Sequence, residues 1–290
     1  MSFPRGVLSR PKGGGDPNSL RRLSDSNAIV NASLEEFGRA ARPLPVCAGE
    51  TRMSVRDADV RDFFETDAYL LGNAGIAARA RLVQRMLGPM SNSRILDIGC
   101  GDGSLSLPFL KSGNLLTLVD FSTLMIERTR LSIPTACSDR VDLVQSDISD
   151  FEPDQDYDAA ICVGVLAHVR SVPAAVSSVS RALKPGGRAV VQISDSSFQI
   201  NKVLEQYRVL RGRLLARRCP SVNRINGKEL ASLAAAKDLE HLATARYAFS
   251  YPGTRLVPFR LRRAFELYAI DRPLLTQFGL ETMFLFRKAL

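Results

Sequence analysis

The stretch Ile95-Leu96-Asp97-Ile98-Gly99-Cys100-Gly101-Asp102-Gly103 reads as a short apolar strand with an acid near its end, running into three alternating glycines. A helix is predicted beyond the turn, from Ser104 to Ser112. Glycines at this spacing let a ligand lie almost against the backbone, close to amide groups at a helix N-terminus. Outward from this point the alternation repeats. Strands are predicted over Leu115–Val119, Val141–Gln145, Ala159–Val163 and Ala189–Ile193, with helices over Ser122–Leu131 and Ala174–Leu183. Continuous apolar strands separated by helices imply a parallel sheet buried on both faces. Upstream, Asp57 to Leu87 is helical around an interruption at Leu71–Gly75; its second part sets Ile76, Ala80, Val83 and Leu87 on one face, and Pro89 closes it. Downstream, a basic helical stretch (Phe198–Arg218) and a helix (Gly227–Ala236) precede two closing strands, Leu239–Phe249 and Thr282–Arg287.

Two further acids end strands. Asp120 follows Gly103 by seventeen residues, where a carboxylate can accept both hydroxyls of a ribose. Asp147, in Gln145-Ser146-Asp147-Ile148, can take the exocyclic amine of adenine. All three acids fall at the carboxyl ends of neighbouring strands, where open parallel sheets bind ligands. The nicotinamide-dinucleotide fingerprint G-x-G-x-x-G fits less well: the third glycine comes one place early, and Ser104 stands where that pattern has glycine. Asp97 would also repel a pyrophosphate. It suits a cofactor with a positive charge.

The chain has 290 residues, 45% apolar and 24% charged, which excludes a mainly disordered chain, a collagen-like repeat and a disulfide-stapled mini-protein. Its densest apolar run, Ala159 to Ala167, is about half of the roughly 20 residues a membrane-spanning helix needs. Residues Met1 to Gly15 carry Pro4, Arg5, Arg10 and Lys12 with no apolar centre, so no signal peptide is expected. Five cysteines without C-x-x-C spacing read as free thiols in a reducing cytoplasm. The Gly-, Pro-, Ser- and Arg-rich stretch 1–52 is expected to be a disordered tail. The net charge of +9 is localised: between Gln199 and Arg263 stand fourteen bases and four acids, so that segment holds the whole surplus.

The motifs resemble those of the class I S-adenosylmethionine-dependent methyltransferases, closely over about Leu70 to Ile193. Asp97–Gly103 is similar to that family's first motif, Asp120 to its ribose-binding acid, and Asp147 with Ile148 to its adenine-binding pair. Tyr157-Asp158 through His168-Val169 resembles the fourth-strand motif, and Leu183-Lys184-Pro185-Gly186-Gly187 the turn before the fifth strand. One departure falls before the sixth strand, where Lys237-Asp238 replaces the usual glycine.

The resemblance implies a Rossmann-like α/β three-layer sandwich with a seven-stranded, mostly parallel sheet whose last strand is antiparallel. It also implies S-adenosyl-L-methionine as cofactor, held by Asp97, Gly99, Cys100, Gly101, Gly103, Asp120, Phe121, Ser122, Asp147, Ile148 and Val163. Residues 53–290 would form one methyltransferase domain: a helical lid (53–90), a cofactor-binding core (91–195), a basic helical cover with the sixth strand (196–265), and a last helix with the seventh strand (266–290).

The implied reaction is methyl transfer to a small-molecule acceptor, an anionic or carrier-bound metabolite, with O-methylation expected first. In the phosphobase branch of the family a histidine and a lid tyrosine act together, which makes His168 and Tyr69 the candidate bases. His241 is expected to be structural, and Cys100 to line the cofactor pocket, since no base adjoins it in the motif. No metal is expected, because Val163–Ala167 carries no acid where metal-using relatives place ligands. The basic segment also admits an RNA-modifying enzyme, although few aromatics accompany it and Trp is absent. A third reading is a non-catalytic protein that binds the cofactor.

Overall fold

The computed structural model describes residues 74–290, apart from 154–155, 215–222, 224 and 250. The expected tail and Tyr69 lie outside the described residues. In chain order the elements are α1 (Ile76–Leu87), β1 (Arg94–Ile98), a 3₁₀ turn (Leu107–Ser112), β2 (Leu115–Asp120), α2 (Thr123–Ser132), a second 3₁₀ turn (Thr135–Arg140) and β3 (Val141–Gln145). There follow β4 (Tyr157–Cys162), α3 (Val172–Ala182), β5 (Leu183–Ile193), α4 (Gln199–Leu214), α5 (Gly227–Ala235), β6 (Leu239–Tyr247), a third 3₁₀ turn (Thr254–Leu256), α6 (Phe259–Ala269), α7 (Pro273–Thr276) and β7 (Glu281–Lys288).

The seven strands form one sheet in the order β3-β2-β1-β4-β5-β7-β6. Strands β1 to β5 pair in parallel, while β7 is antiparallel to both neighbours, so β6 again runs with the rest. The chain leaves β1 towards β2 and returns to β4 on β1's other side. That reversal opens a crevice at the carboxyl ends of β1 and β4, the place where such sheets hold ligands.

Both faces of the sheet are covered. One carries α1, the first 3₁₀ turn and α2, with Leu82, Val83, Leu87, Phe109 and Ile126 packed on Ile95, Leu118, Ile161 and Met283. On the other, Val176, Val179, Leu230 and Ala234 pack on Leu96, Ile98, Cys162, Val191 and Phe286. Burying each large aliphatic side chain contributes about 1.5–3 kcal/mol. Among the described residues no helix is long and apolar enough to cross a membrane.

Four expectations shift. The predicted helix Ser104–Ser112 is a run of turns ending in a 3₁₀ segment, because Pro108 in an α-helix there would clash with the Ser104 carbonyl. Strand β5 begins at Leu183 and carries the Lys184–Gly187 turn as an outward loop, since Tyr157 pairs with Leu183 but Ala159 with Arg188. In α1 the buried face is Ala78, Leu82, Val83 and Leu87, and Ile76 points into the crevice instead. The last long helix, α6, starts at Phe259, inside the stretch read as cover. Before β6, Asp238 adopts φ 58° where the family has glycine. Short polar side chains tolerate that left-handed conformation, so the turn survives the exchange.

Candidate cofactor and acceptor site

The glycine loop leaves β1 with Gly99 at φ 72° and Gly103 at φ 74°. A side chain at Gly99 would place its Cβ 2.3 Å from Val165 Cγ2, and one at Gly103 would sit 2.9 Å from Leu107. Gly101 differs: a Cβ there would meet nothing within 4 Å, so open space adjoins the backbone at the centre of the loop. The loop is tied to β2 through Gly99 N–H and Cys100 N–H, which donate to Val119 O at 2.7 and 3.0 Å. The Thr129 hydroxyl of α2 donates to Gly101 O at 2.7 Å.

Asp120 joins this loop to the next one. Its Oδ2 accepts from Gly101 N–H at 2.9 Å and its Oδ1 from Ser122 N–H at 2.9 Å, which fixes the carboxylate edge-on at the tip of β2. Burial raises its pKa, opposed by the N–H groups of Ser122, Gly101 and Phe121. Ser122 caps α2, its hydroxyl accepting from Met125 N–H. Asp147 is held in its own turn, with Oδ1 accepting from Ser149 N–H at 2.8 Å.

Asp97 is fully buried. Among the described residues no donor reaches full hydrogen-bonding geometry on either of its oxygens. Burial pushes its carboxyl up to about 7, against a pull from the Ser106 hydroxyl, and the charges of Asp120 and Asp102 add to the rise. A buried carboxylate beneath a ligand crevice, short of donors and close to two other acids, is the local chemistry that a cationic group relieves.

One cavity gathers most of the predicted residues. Gly99, Cys100, Gly101, Asp120, Phe121, Asp147, Ile148, Val163 and His168 all line it. Asp97, Gly103 and Ser122 do not reach its surface; they shape the floor and turns behind it. Tyr69 lies outside the described residues. Cys100 has its thiol pKa raised well above the usual value, burial first and the nearby Asp97 charge second, so it contributes shape and no thiolate.

Sequence reading missed a second group of lining residues. Ile76 and Arg79 come from α1, Met125 from α2, and Val165, Val169 and Arg170 from the segment after β4. Arg79 and Arg170 give the cavity two cations. The signal for Arg79 was present: it sits within the first turn of the helix read as a lid. The bases of the 199–263 segment partly go elsewhere. Arg246 pairs with the buried Asp195 at 2.9 Å and lies over the Phe198 ring at 4.1 Å, which is a structural role in the sheet.

A crevice at the reversal point of a seven-stranded sheet, floored by a glycine loop and edged by three acids, defines the class I S-adenosylmethionine-dependent methyltransferase fold. Residues 74–244 match the methyltransferase-domain family, and the chain belongs to it. The ubiquinone biosynthesis O-methyltransferase of Xylella fastidiosa is 35% identical over 105 residues, 36% of this chain and 42% of that protein. Its counterpart from Rickettsia akari is 31% identical over 102 residues, 35% of this chain and 40% of that one. The matched segment thus spans about two fifths of the length of these relatives. Magnesium protoporphyrin IX methyltransferase from Synechocystis PCC 6803, solved with S-adenosylhomocysteine, shares the fold with TM-score 0.57 and 14% identity, over 81% of this chain and 100% of that one.

The residues present fit S-adenosylmethionine. Open space lies at Gly101, a fixed carboxylate stands at Asp120, and Asp97 places a buried carboxyl beneath the loop that a nearby cation would favour in its ionised form.

Proposed function

We propose that this chain is a cytoplasmic enzyme that methylates a hydroxyl of a small anionic or carrier-bound acceptor. One observation carries the reading: acids (Asp102, Asp120, Asp147) and the nitrogen-bearing side chains of Arg79, His168 and Arg170 line the same cavity. In this reading Asp120 accepts the ribose hydroxyls, Asp147 with Ile148 holds the adenine, and Asp97 compensates the positive charge of the amino-acid end. Gly99, Cys100, Gly101, Phe121 and Val163 provide the close surface, while Gly103 and Ser122 hold the turns. When bound, S-adenosylmethionine supplies an electrophilic methyl on a sulfonium.

The donor is already activated, so the protein's part is alignment, which lowers such barriers by about 7–11 kcal/mol in favourable cases. Arg79 and Arg170 attract and orient the acceptor's anionic group. His168 takes the proton that the acceptor hydroxyl loses as its oxygen becomes nucleophilic. Tyr69 is its proposed companion. O-transfer is favoured because the curated relatives above carry that reaction in their names.

The test is a panel of phenolic and carboxylate-bearing acceptors with saturating S-adenosylmethionine, reading S-adenosylhomocysteine by mass spectrometry. With the best acceptor, His168→Ala is expected to lower kcat about 100-fold while leaving the affinity for S-adenosylhomocysteine unchanged. Tyr69→Phe is expected to lower kcat by less. Unchanged turnover in both variants would remove the acid–base assignment, and failure to bind S-adenosylhomocysteine at all would remove the whole reading.

A further inference from the structure

A second cavity lies at the same edge of the sheet as the cofactor crevice, beside the carboxyl end of β6. It measures about 520 Å³, within the usual range of small-molecule sites. Phe249, Val257, Leu261, Phe265, Leu275 and Phe278 form its apolar wall. Val257, Leu261, Phe265 and Phe278 remain 42%, 61%, 46% and 50% exposed, a concentration of large apolar surface that folding alone does not favour.

Four residues with polar side chains also line it, Tyr251, Thr254, Arg262 and Glu266, and of these only Glu266 is buried. Glu266 is only 3% exposed, yet it lines the cavity. Its Oε1 accepts from Phe249 N–H at 2.8 Å, and among the described residues no donor reaches full hydrogen-bonding geometry on its Oε2, with the Ala248 N–H the next influence on the carboxyl after that of Phe249. Buried acceptors are ordinarily paired. Burial raises the carboxyl's pKa, and the Phe249 and Ala248 N–H groups with the Arg79 and Arg262 charges oppose that rise.

We infer that this cavity is a second ligand site, built for an apolar group the size of a bicyclic aromatic or short branched chain that carries one hydrogen-bond donor, with Glu266 Oε2 accepting that donor. The site adjoins the first. Ala74 borders it, while Ile76 and Arg79, one turn along the chain, border the cofactor crevice. An acceptor whose hydroxyl reacts in the first cavity and whose apolar extension lies in the second is the substrate class this adds. That last identification rests on the methyl-transfer reading; occupancy of the cavity does not.

N-phenyl-1-naphthylamine, an apolar fluorophore with one N–H donor, tests the site on the full chain. Saturable one-to-one enhancement is expected, undiminished by saturating S-adenosylhomocysteine. Leu261→Trp, which fills the cavity, should weaken the probe at least about tenfold. Glu266→Gln keeps an acceptor for Phe249 N–H but replaces the second oxygen with a donor, and about fivefold weaker binding is expected. The N-methylated probe, which has no donor, should bind wild type and Glu266→Gln alike. Calorimetry with S-adenosylhomocysteine on each variant reports that the fold is intact.

The proposal is overturned if S-adenosylhomocysteine displaces the probe, or if neither substitution changes its affinity. It also falls if sedimentation finds a dimer that Leu261→Trp dissociates, because a second copy of the chain then covers the cavity. Probe binding without turnover on any acceptor would leave the site standing and remove only its link to methyl transfer.

Discussion

Where β1, β2 and β3 end, backbone amides do the holding: Gly99 and Cys100 give theirs to the Val119 carbonyl, and Gly101 and Ser122 give theirs to the Asp120 carboxylate. Where β5 and β6 end and β7 begins, side chains do the same work. Arg246 pairs with Asp195, Gln192 and Ser194 both donate to Glu281, and Asn201 donates to the carbonyls of Asp195 and Leu280. A backbone-built loop positions a ligand with little freedom and needs glycine at set places. A side-chain-built edge can be rebuilt residue by residue without moving the glycine loop. The contrast predicts where substitutions disturb the cofactor half alone.

The largest expected effect belongs to Asp97. Its carboxyl titrates at about 7 in the folded chain against 3.8 for the unperturbed group. The raised value means that the proton favours the fold: the stabilisation is complete below about pH 4 and is lost as pH rises through 7. Above 7 the buried charge costs about 4 kcal/mol. Urea unfolding of the ligand-free protein should therefore show Asp97→Asn gaining on wild type by about 3 kcal/mol between pH 5 and 8. Parallel curves would mean that Asp97 does not titrate in that window, and the account of the loop's electrostatics would fail.

The matching experiment on the other half is Arg246→Ala. Asp195 is 4% exposed and keeps only the Ser197 amide and hydroxyl once the guanidinium is gone. Breaking a buried pair from one side leaves a charge uncompensated, and with Arg246 partly exposed a loss of about 3 kcal/mol is expected in denaturant unfolding. S-adenosylhomocysteine affinity should stay within about twofold. A large loss of that affinity would show that the two halves are not separable.

Much of the first half was legible in the sequence because its physics is local. Glycines at 99, 101 and 103 and acids at 97, 120 and 147 each mark a strand tip by position in the chain, and β1, β3 and α1 fall where periodicity put them. The second half is written in partners far apart. Gln192 and Glu281 are 89 residues distant and Arg246 and Asp195 are 51, so nothing near either member announces the pair. Arg170 lines the cavity for the same kind of reason: tertiary structure brings it there, and no local pattern distinguishes it from other surface arginines. The 3₁₀ segment after Gly103 was a different failure, because Pro108 stood in plain view inside the predicted helix.

Asp120→Asn probes the backbone-built half more gently. An amide offers one acceptor oxygen to two N–H donors, so either Gly101 or Ser122 loses its bond and the negative charge disappears. Hydrogen bonds to charged groups are worth about 1.5–3 kcal/mol, and a fall in S-adenosylhomocysteine affinity of about 30-fold is expected by calorimetry. An affinity within twofold of wild type would remove Asp120 from the cofactor's hold.

The smallest effect separates the two sets of arginines. Arg260 and Arg263 are exposed on α6, and charges more than about 8–10 Å apart across solvent are screened at physiological salt. Arg170 is exposed too, but it lines the cavity itself, within a screening length of anything bound there. Arg170→Gln should raise KM for an anionic acceptor about tenfold with little change in kcat, which is the mark of uniform binding lost. The double reversal Arg260→Glu with Arg263→Glu should move KM less than about twofold, and retention of the chain on RNA at moderate salt should not depend on it. If the outer reversal instead abolishes salt-sensitive RNA binding while Arg170→Gln is silent, the acceptor is read by the basic surface and the anionic small-molecule assignment is the part that gives way.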